Sequence, residues 1–228
     1  MVKWSLLLVV ISAQSFAKLN IVTEHFPPFQ YVDKHAKLNG FIAEKVHRAL
    51  ERSAIDYSIS VHNWTTAYNT VLRDPQTCIF SISRSVAREH KFIWIAKLTE
   101  LSTYFYGLHS KKIKLDNLEH AKQYRVAVLR DNYSHHYLIR NGFEVGKNLM
   151  LMESFDNIFA VVKNRHSSID LVLLPKQRVL YEYKKTGVTD YLIPILALNK
   201  EQPALYFACN TRLNVSIKQQ LEAAFSSH

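Results

Sequence analysis

Along the first third of this chain, segments with the apolar pattern of β-strands alternate with segments that have the apolar spacing of helices. Residues 18–23 and 55–61 have the apolar, β-rich character of strands. Between them, residues 41–53 carry apolar side chains at helical spacing, with a polar opposite face. A second helix is predicted over 64–72, and a strand begins at 78–80. The order β-α-β-α-β predicts a mostly parallel sheet with crossover helices.

The same order of elements begins again after an aromatic-rich strand at 101–108. Strands are predicted at 124–129, 149–152, 169–174 and 204–209, and helices at 115–122, 133–140, 155–164, 175–185 and 215–225. The pattern predicts an α/β protein with two lobes joined by two crossover strands, 101–108 and 204–209. We expect residues 18–104 with 207–228 to form the first lobe and 105–206 the second. Ligands commonly bind in the cleft between such lobes.

The first 17 residues have the composition of a secretory signal peptide. Lys3 precedes an apolar run at 6–11, and a small-x-small ending at Ala17 is typical of a cleavage site. The apolar run is too short to span a bilayer. We therefore expect an exported, soluble, periplasmic protein.

Composition and charge narrow the class further. Of 228 residues, 48% are hydrophobic and 21% are charged, which indicates a folded core and not a disordered chain. The net charge of +10 is spread along the chain, so we interpret it as a solvated basic face and expect no nucleic-acid partner. Export permits a disulfide between the two cysteines, Cys78 and Cys209, and two buried free thiols are the alternative.

Residues 77–94 concentrate the chemistry for holding an anion. A predicted strand leads directly into hydroxyl and guanidinium side chains: Ser81, Ser83, Arg84, Ser85 and Arg88. A guanidinium matches the two oxygens of a carboxylate, and the start of a helix would add N–H donors. The alternative is a surface turn with two solvated arginines.

Histidines are numerous but do not predict a metal site. The chain has 11, and His135-His136 is the only close set. No matching carboxylate or cysteine accompanies this pair in the sequence, so we expect surface histidines, no metal and no cofactor.

Several motifs, in order, resemble those of the bacterial extracellular solute-binding proteins of family 3, the amino-acid type. They are the Pro-Pro-Phe and Leu-Asn-Gly-Phe segments within 21–41, Trp64, the hydroxyl-rich strand end with Arg88, the strand 125–130 and the segment Ile169-Asp170. The resemblance covers nearly all of the chain after residue 17. It implies a type II periplasmic-binding fold, a monomer, and closure of two lobes over a small carboxylate-bearing solute. It also implies delivery of that solute to an ABC permease in the inner membrane.

The resemblance assigns roles to individual residues. Arg88 would pair with the solute carboxylate, and Ser83 would add hydroxyl or backbone contacts. Phe26 would pack on the solute. The further candidates are Ser81, Ser85 and Trp64 from the first lobe, and Asp131, Asn132 and Tyr133 from the second. Core packing for Phe26 and Trp64 and plain helix capping for Asn132 are the alternatives.

The chain departs from the family pattern at two positions. Family members commonly place an Asp after the strand at 169–174 to receive a ligand ammonium, and Pro175 followed by Lys176 stands here. Asp131-Asn132 replaces a Gly-Ser/Thr turn. Asp131 could supply the missing negative charge.

Two other functions remain as alternatives. Some proteins similar to this family are dehydratases of cyclohexadienyl acids, and that chemistry needs a cleft carboxylate as general acid. Glu24 and Asp131 are the acids that the sequence places near the cleft, and neither has a paired base. The other alternative is an interaction or sensor module on the same fold. We expect a binding protein and no enzyme.

Overall fold

The computed structural model describes residues 18–164, 167–187, 191–198 and 204–226. The expected signal peptide, residues 1–17, lies outside the described residues. Among those described, no helix combines the length and the apolar character needed to cross a membrane.

Five strands form the first sheet, in the order β4 (Tyr57–His62), β1 (Leu19–Glu24), β5 (Thr77–Ser83), β12 (Ala204–Asn210) and β6 (Phe92–Glu100). β4, β1 and β5 are parallel, and β12 runs antiparallel to both of its neighbours. Every residue of β5 is buried, as its apolar sequence predicts for a strand covered on both faces.

The second sheet repeats this arrangement. Its strands, in order, are β9 (Leu149–Met152), β8 (Val126–Leu129), β10 (Leu171–Pro175), β7 (Thr103–Leu108) and β11 (Leu192–Ala197). Again three neighbouring strands are parallel, and β7 is antiparallel to both of its neighbours. The expected α/β class with two mostly parallel sheets is confirmed.

Seven helices are described: α1 (Phe41–Ser53), α2 (Trp64–Arg73), α3 (Leu118–Ala121), α4 (Tyr133–Arg140), α5 (Phe155–Asn164), α6 (Lys176–Thr186) and α7 (Val215–Ser226). Local sequence explains their ends. Asn63 caps α2 by accepting a 2.8 Å hydrogen bond from the Thr66 N–H. Gly187 ends α6 at φ 71°, a left-handed conformation that suits glycine.

The sequence prediction was wrong for the segment that follows β5. An α-helix was expected to begin near Ser85, but the chain forms a six-residue 3₁₀ helix, Val86–Lys91. Ser85 precedes it without a side-chain capping bond. The short helix places Arg88 beneath the end of β5.

Two strands and one small hairpin were not predicted. β6 occupies a segment that was expected to be a turn, and β11 contains Pro194 at a register shift, where a proline is tolerated in a sheet. β2 (Tyr31–Val32) pairs with β3 (Leu38–Asn39) in a stretch expected to be a polar turn.

The chain passes between the sheets after Glu100 and again between Ala197 and Ala204. The lobe boundaries expected from the sequence remain a proposal. The carboxyl ends of the parallel strands of both sheets carry the residues that meet at the cleft, where ligands of α/β proteins commonly bind.

Candidate functional site

A small cavity lies between the two sheets and is called the cleft cavity here. Its lining includes Glu24, Phe26 and Arg88 from the first sheet's side, and Asn132 and Phe155 from the second. Its volume is about 40 Å³. Pockets that hold small molecules have volumes of about 300–1,000 Å³, so the two lobes are closed around this cavity.

Arg88 is the buried cation of this cavity. Only 4% of the residue is exposed, although it lies on a surface 3₁₀ helix. Its Nη1 donates to the Ser83 carbonyl at 3.1 Å, and its Nη2 donates to the Asp131 carbonyl of the second lobe at 3.0 Å. The guanidinium also lies over the rings of Trp64 and Tyr68, at 5.3 and 5.2 Å from their centroids.

The Asp131 carbonyl is a shared contact between the lobes. It accepts a second hydrogen bond, of 2.8 Å, from the indole Nε1–H of Trp64. Asp131 has φ 58°, which a non-glycine residue seldom adopts. Its carboxylate lies 3.4 Å from the Thr65 hydroxyl, and Asp131 is not among the residues that line the cleft cavity within the described chain.

An aromatic stack closes another part of the cleft. The Phe26 ring lies parallel to the ring of Phe155 from the second lobe, with centroids 4.6 Å apart and an interplanar angle of 11°. The Phe29 ring also contacts Phe26, with centroids 4.5 Å apart and an interplanar angle of 41°. Phe26 therefore lies in the cleft and packs on a protein ring, and its contact with a solute remains a prediction.

The three serines at the end of β5 are in different environments. Ser81 is buried, lines the cleft cavity and donates its hydroxyl hydrogen to the side-chain amide oxygen of Gln30, Oε1, at 2.7 Å. Ser83 is buried and lines the cleft cavity. Ser85 is partly exposed and is not among the residues described as lining that cavity.

The second lobe contributes the start of α4. Asn132 and Tyr133 both line the cleft cavity. The Asn132 side chain caps the helix by accepting a 2.9 Å hydrogen bond from the His135 N–H, so its amide oxygen is engaged. Pro175 lines the same cavity and brings no charge to it.

A larger cavity of about 410 Å³ adjoins the first and is called the side cavity here. The two share Glu24, Trp64 and Phe155 as lining residues. Glu24 is the last residue of β1 and is 8% exposed. Burial raises the pKa of its carboxyl to about 8, against the lowering effect of the Arg88 guanidinium.

The structure corrects one expectation about the histidines. A carboxylate does accompany His135 and His136, because ligand atoms of Asp131 and of both rings lie within 4.8 Å of one another. Nδ1 of His135 accepts the Asp131 N–H at 3.1 Å, and the two imidazoles stack with centroids 5.0 Å apart. Nδ1 of His135 is therefore already engaged by a backbone hydrogen bond.

Comparison with known proteins gives matches at the level of structure. No family model matches the chain, and no curated protein matches it in sequence. A histidine kinase sensor domain with similarity to periplasmic binding proteins superposes with a TM-score of 0.81 and 16% identity, covering 92% of this chain and 89% of that one.

Two amino-acid-bound proteins are also similar. An ancestral arginine-binding protein bound to arginine gives a TM-score of 0.78 at 15% identity, covering 92% of this chain and 91% of that one. An ABC uptake transporter substrate-binding protein from Streptococcus pneumoniae with bound histidine gives 0.78 at 15% identity, covering 92% and 86%. The chain has the fold of the periplasmic amino-acid-binding proteins. This confirms the fold that the resemblance implied.

Within this periplasmic-binding fold, several residues that line the cleft were not predicted from the sequence, and two of them lie at the starts of helices in the second lobe. Phe155 opens α5 directly after β9, and Ser134 lies in the first turn of α4 after β8. The rule that ligands lie beyond the carboxyl ends of parallel strands would have identified both. Glu24 was considered only as a catalytic acid. The ligand-contact roles of the predicted residues remain predictions.

Proposed function

We propose that this protein binds a small carboxylate-bearing solute, an amino acid or a related compound, between two lobes that close over it. The observation that carries the proposal is the environment of Arg88. Its guanidinium is buried in the cleft and donates to two neutral backbone carbonyls. No ion pair joins it to a carboxylate within the described part of the chain. A solute carboxylate would supply the missing charge and would match the planar fork.

The size of the cleft supports a closing motion. A cavity of about 40 Å³ is too small for an amino acid, so the lobes must separate to admit one. Hydrogen bonds and ring contacts join the two lobes across the cleft near Arg88. They include hydrogen bonds to the Asp131 carbonyl and the Phe26–Phe155 stack. Hinge closure around a ligand is a common transition of such two-lobed proteins.

The structural neighbours and the cysteines support a location outside the cytoplasm. The similar proteins include an arginine-binding protein, the substrate-binding protein of an ABC uptake transporter and a sensor domain with similarity to periplasmic binding proteins, and the Cys78–Cys209 disulfide fits an oxidising compartment. We propose that the protein is periplasmic, is exported by a signal peptide at 1–17, acts as a monomer and delivers its solute to an ABC permease. A sensory role is the second candidate, favoured by the sensor-domain neighbour.

An enzymatic role has one observation in its favour. With a pKa of about 8, the Glu24 carboxyl is protonated near neutral pH and could act as a general acid. Incubation with a cyclohexadienyl acid tests it, because formation of an aromatic product changes the ultraviolet absorbance. We expect no change.

A thermal-shift screen of the purified mature protein tests the binding function. The panel contains the twenty L-amino acids, keto acids, polyamines and short peptides. A solute at 100 times its Kd stabilises the folded state by about 2.7 kcal/mol, which is about 5–10 °C in Tm for a protein of this size. Stabilisation by none of these compounds would contradict the proposal.

Replacement of Arg88 by alanine is expected to weaken solute binding at least tenfold. A charge-assisted hydrogen bond contributes about 1.5–3 kcal/mol, and Arg88→Ala removes the cation that we assign to the solute carboxylate. Calorimetric titration of the compound with the largest thermal shift measures the loss.

Arg84 offers a matched control four residues away. It is exposed and pairs with Glu89 outside the cleft cavity, so Arg84→Ala should bind the solute with unchanged affinity. Arg88→Lys keeps the positive charge but loses the planar guanidinium that can pair with both carboxylate oxygens, so it should bind the solute with intermediate affinity. Equal affinity of Arg88→Ala and wild type, with both proteins folded by circular dichroism, would refute the role of Arg88.

A further inference from the structure

Glu24 occupies a position that connects the two cavities of the cleft. It lies at the carboxyl end of β1, the central strand of the three parallel strands of its sheet. It lines both the cleft cavity and the side cavity, and Arg88 lies close enough to affect its charge. A solute carboxylate held at Arg88 would therefore lie in a cavity that this carboxyl also lines.

The Glu24 carboxyl has no partner of its own within the described part of the chain. No hydrogen bond or ion pair to it is found there, although the residue is 8% exposed. Arg88 attracts it without forming an ion pair, and burial outweighs that attraction. A buried acid without a partner costs stability, and such groups in clefts are often functional.

The other acids around the cleft are already engaged. Glu153 accepts a 2.8 Å hydrogen bond from Arg130, and Asp156 accepts one of 2.7 Å from Arg178. The carboxylate of Asp131 lies near Thr65 and His135, away from the cleft cavity. Asp131 therefore does not supply the negative charge missing at Pro175.

We infer that Glu24 receives the cationic nitrogen of the solute whose carboxylate is held at Arg88. The inference rests on the proposed function and names the solute class as a zwitterionic or basic amino acid. The recognised group is an ammonium or a guanidinium, each of which donates several N–H bonds to a carboxylate. Arg88 would then bind the carboxylate of the solute, and Glu24 would bind its cationic nitrogen, so each buried group would have a partner of opposite charge.

Binding should release a proton from Glu24 to the solvent. The pKa of about 8 means that the carboxyl is mostly protonated at pH 7, and a cationic partner binds its ionised form. Affinity should therefore fall as the pH falls below about 8, by up to tenfold per pH unit. Besides Glu24, the charged and titratable groups that line the two cavities are Arg88, His25, His62, Tyr133, Glu153, Asp156 and Arg178.

Six probes separate the two sources of the cation. L-Arginine, L-glutamine and L-phenylalanine are each titrated calorimetrically beside the acid that lacks the α-amino group: 5-guanidinopentanoate, glutaramate and 3-phenylpropanoate. If Glu24 takes the α-ammonium, every amino acid that binds does so at least tenfold more tightly than its deamino acid. If it takes a side-chain cation, L-arginine and 5-guanidinopentanoate bind and the other four do not.

Glu24→Gln, compared with the exposed control Glu51→Gln, decides the role of the carboxyl. The variant should lose at least tenfold in affinity for the binding amino acid and should lose the pH dependence between pH 6 and 8. Unchanged affinity of Glu24→Gln would overturn this inference and leave the proposed function standing. The inference would also be overturned if amino acids and their deamino acids bound the wild type equally well and Glu24→Gln bound both with unchanged affinity. The proposed function would again stand. Absence of binding by the six probes and by every compound of the thermal-shift panel would contradict both.

Discussion

Removal of the Cys78–Cys209 disulfide is expected to lower the free energy of unfolding by about 4–5 kcal/mol. The bond joins paired residues of β5 and β12 and spans a sequence separation of 131 residues. Closing so long a loop restricts the unfolded chain strongly, and the chain-entropy model gives nearly 5 kcal/mol for this length. Both cysteines are fully buried, so native packing around the bond is also lost with it.

Guanidinium chloride unfolding of the wild type and of the double variant Cys78→Ala/Cys209→Ala measures this loss. Alanine leaves no buried hydroxyl in place of either sulfur atom. Reduction of the wild type with a strong reductant should reproduce much of the effect. Mass spectrometry of the unreduced protein should show two hydrogens missing. Two thiols that alkylate after unfolding without reductant would contradict the bond itself.

The second large effect concerns Glu24 and the pH dependence of stability. Glu24→Gln is expected to become more stable than the wild type as the pH rises, by roughly 3–5 kcal/mol between pH 4.5 and pH 8.5. Burial raises the folded-state pKa of Glu24 from 4.5 to about 8. The group therefore favours the folded state below pH 4.5, and that contribution is lost as the pH rises to about 8. Glutamine does not ionise, so the variant does not lose stability in this way as the pH rises.

Urea unfolding of both proteins at several pH values measures the difference. Titratable groups that both proteins share contribute equally to the two free energies of unfolding and cancel in their difference. Any effect of the amide that does not depend on pH leaves the trend of this difference with pH unchanged. The exposed control Glu51→Gln should show no such trend. A constant difference between pH 4.5 and 8.5 would mean that Glu24 is ionised in the folded protein near neutral pH, with a partner or with solvent.

A gain in stability on removal of Glu24 has a functional meaning. Natural binding sites commonly keep groups that destabilise the free protein, because those groups are needed for the ligand. Glu24→Gln is expected to be more stable at pH 8 and weaker in solute binding. A group that only supported the fold would lower the stability when it was replaced, so higher stability together with weaker binding identifies Glu24 as a binding group.

Strongly periodic segments made much of the fold predictable from sequence. The bounds of α1, β9 and α5 agree with the predicted 41–53, 149–152 and 155–164, because amphipathic or apolar runs with clear ends dominate there. β6 and β11 were missed because their pairing is not local. β6 pairs with β12 more than 100 residues later, and β11 contains a proline.

The site was predictable as a location and less so as a set of contacts. Strand ends and the resemblance pointed to Arg88, Ser83 and Phe26, all of which line the cleft cavity, and their contacts with a solute remain predictions. The sequence contained no sign that Asp131 adopts φ 58° and presents its carbonyl to Arg88. It also could not show that Glu24 would be buried without a partner. Both facts depend on how the two lobes meet in three dimensions.

The measurement that tests the central claim most directly is a calorimetric titration of the purified wild-type protein with the compound that stabilises it most. We predict saturable binding with one site per chain, at an affinity that accounts for the thermal shift. Absence of saturable heat for every compound of the panel up to millimolar concentration would contradict the assignment of this cleft as a solute-binding site.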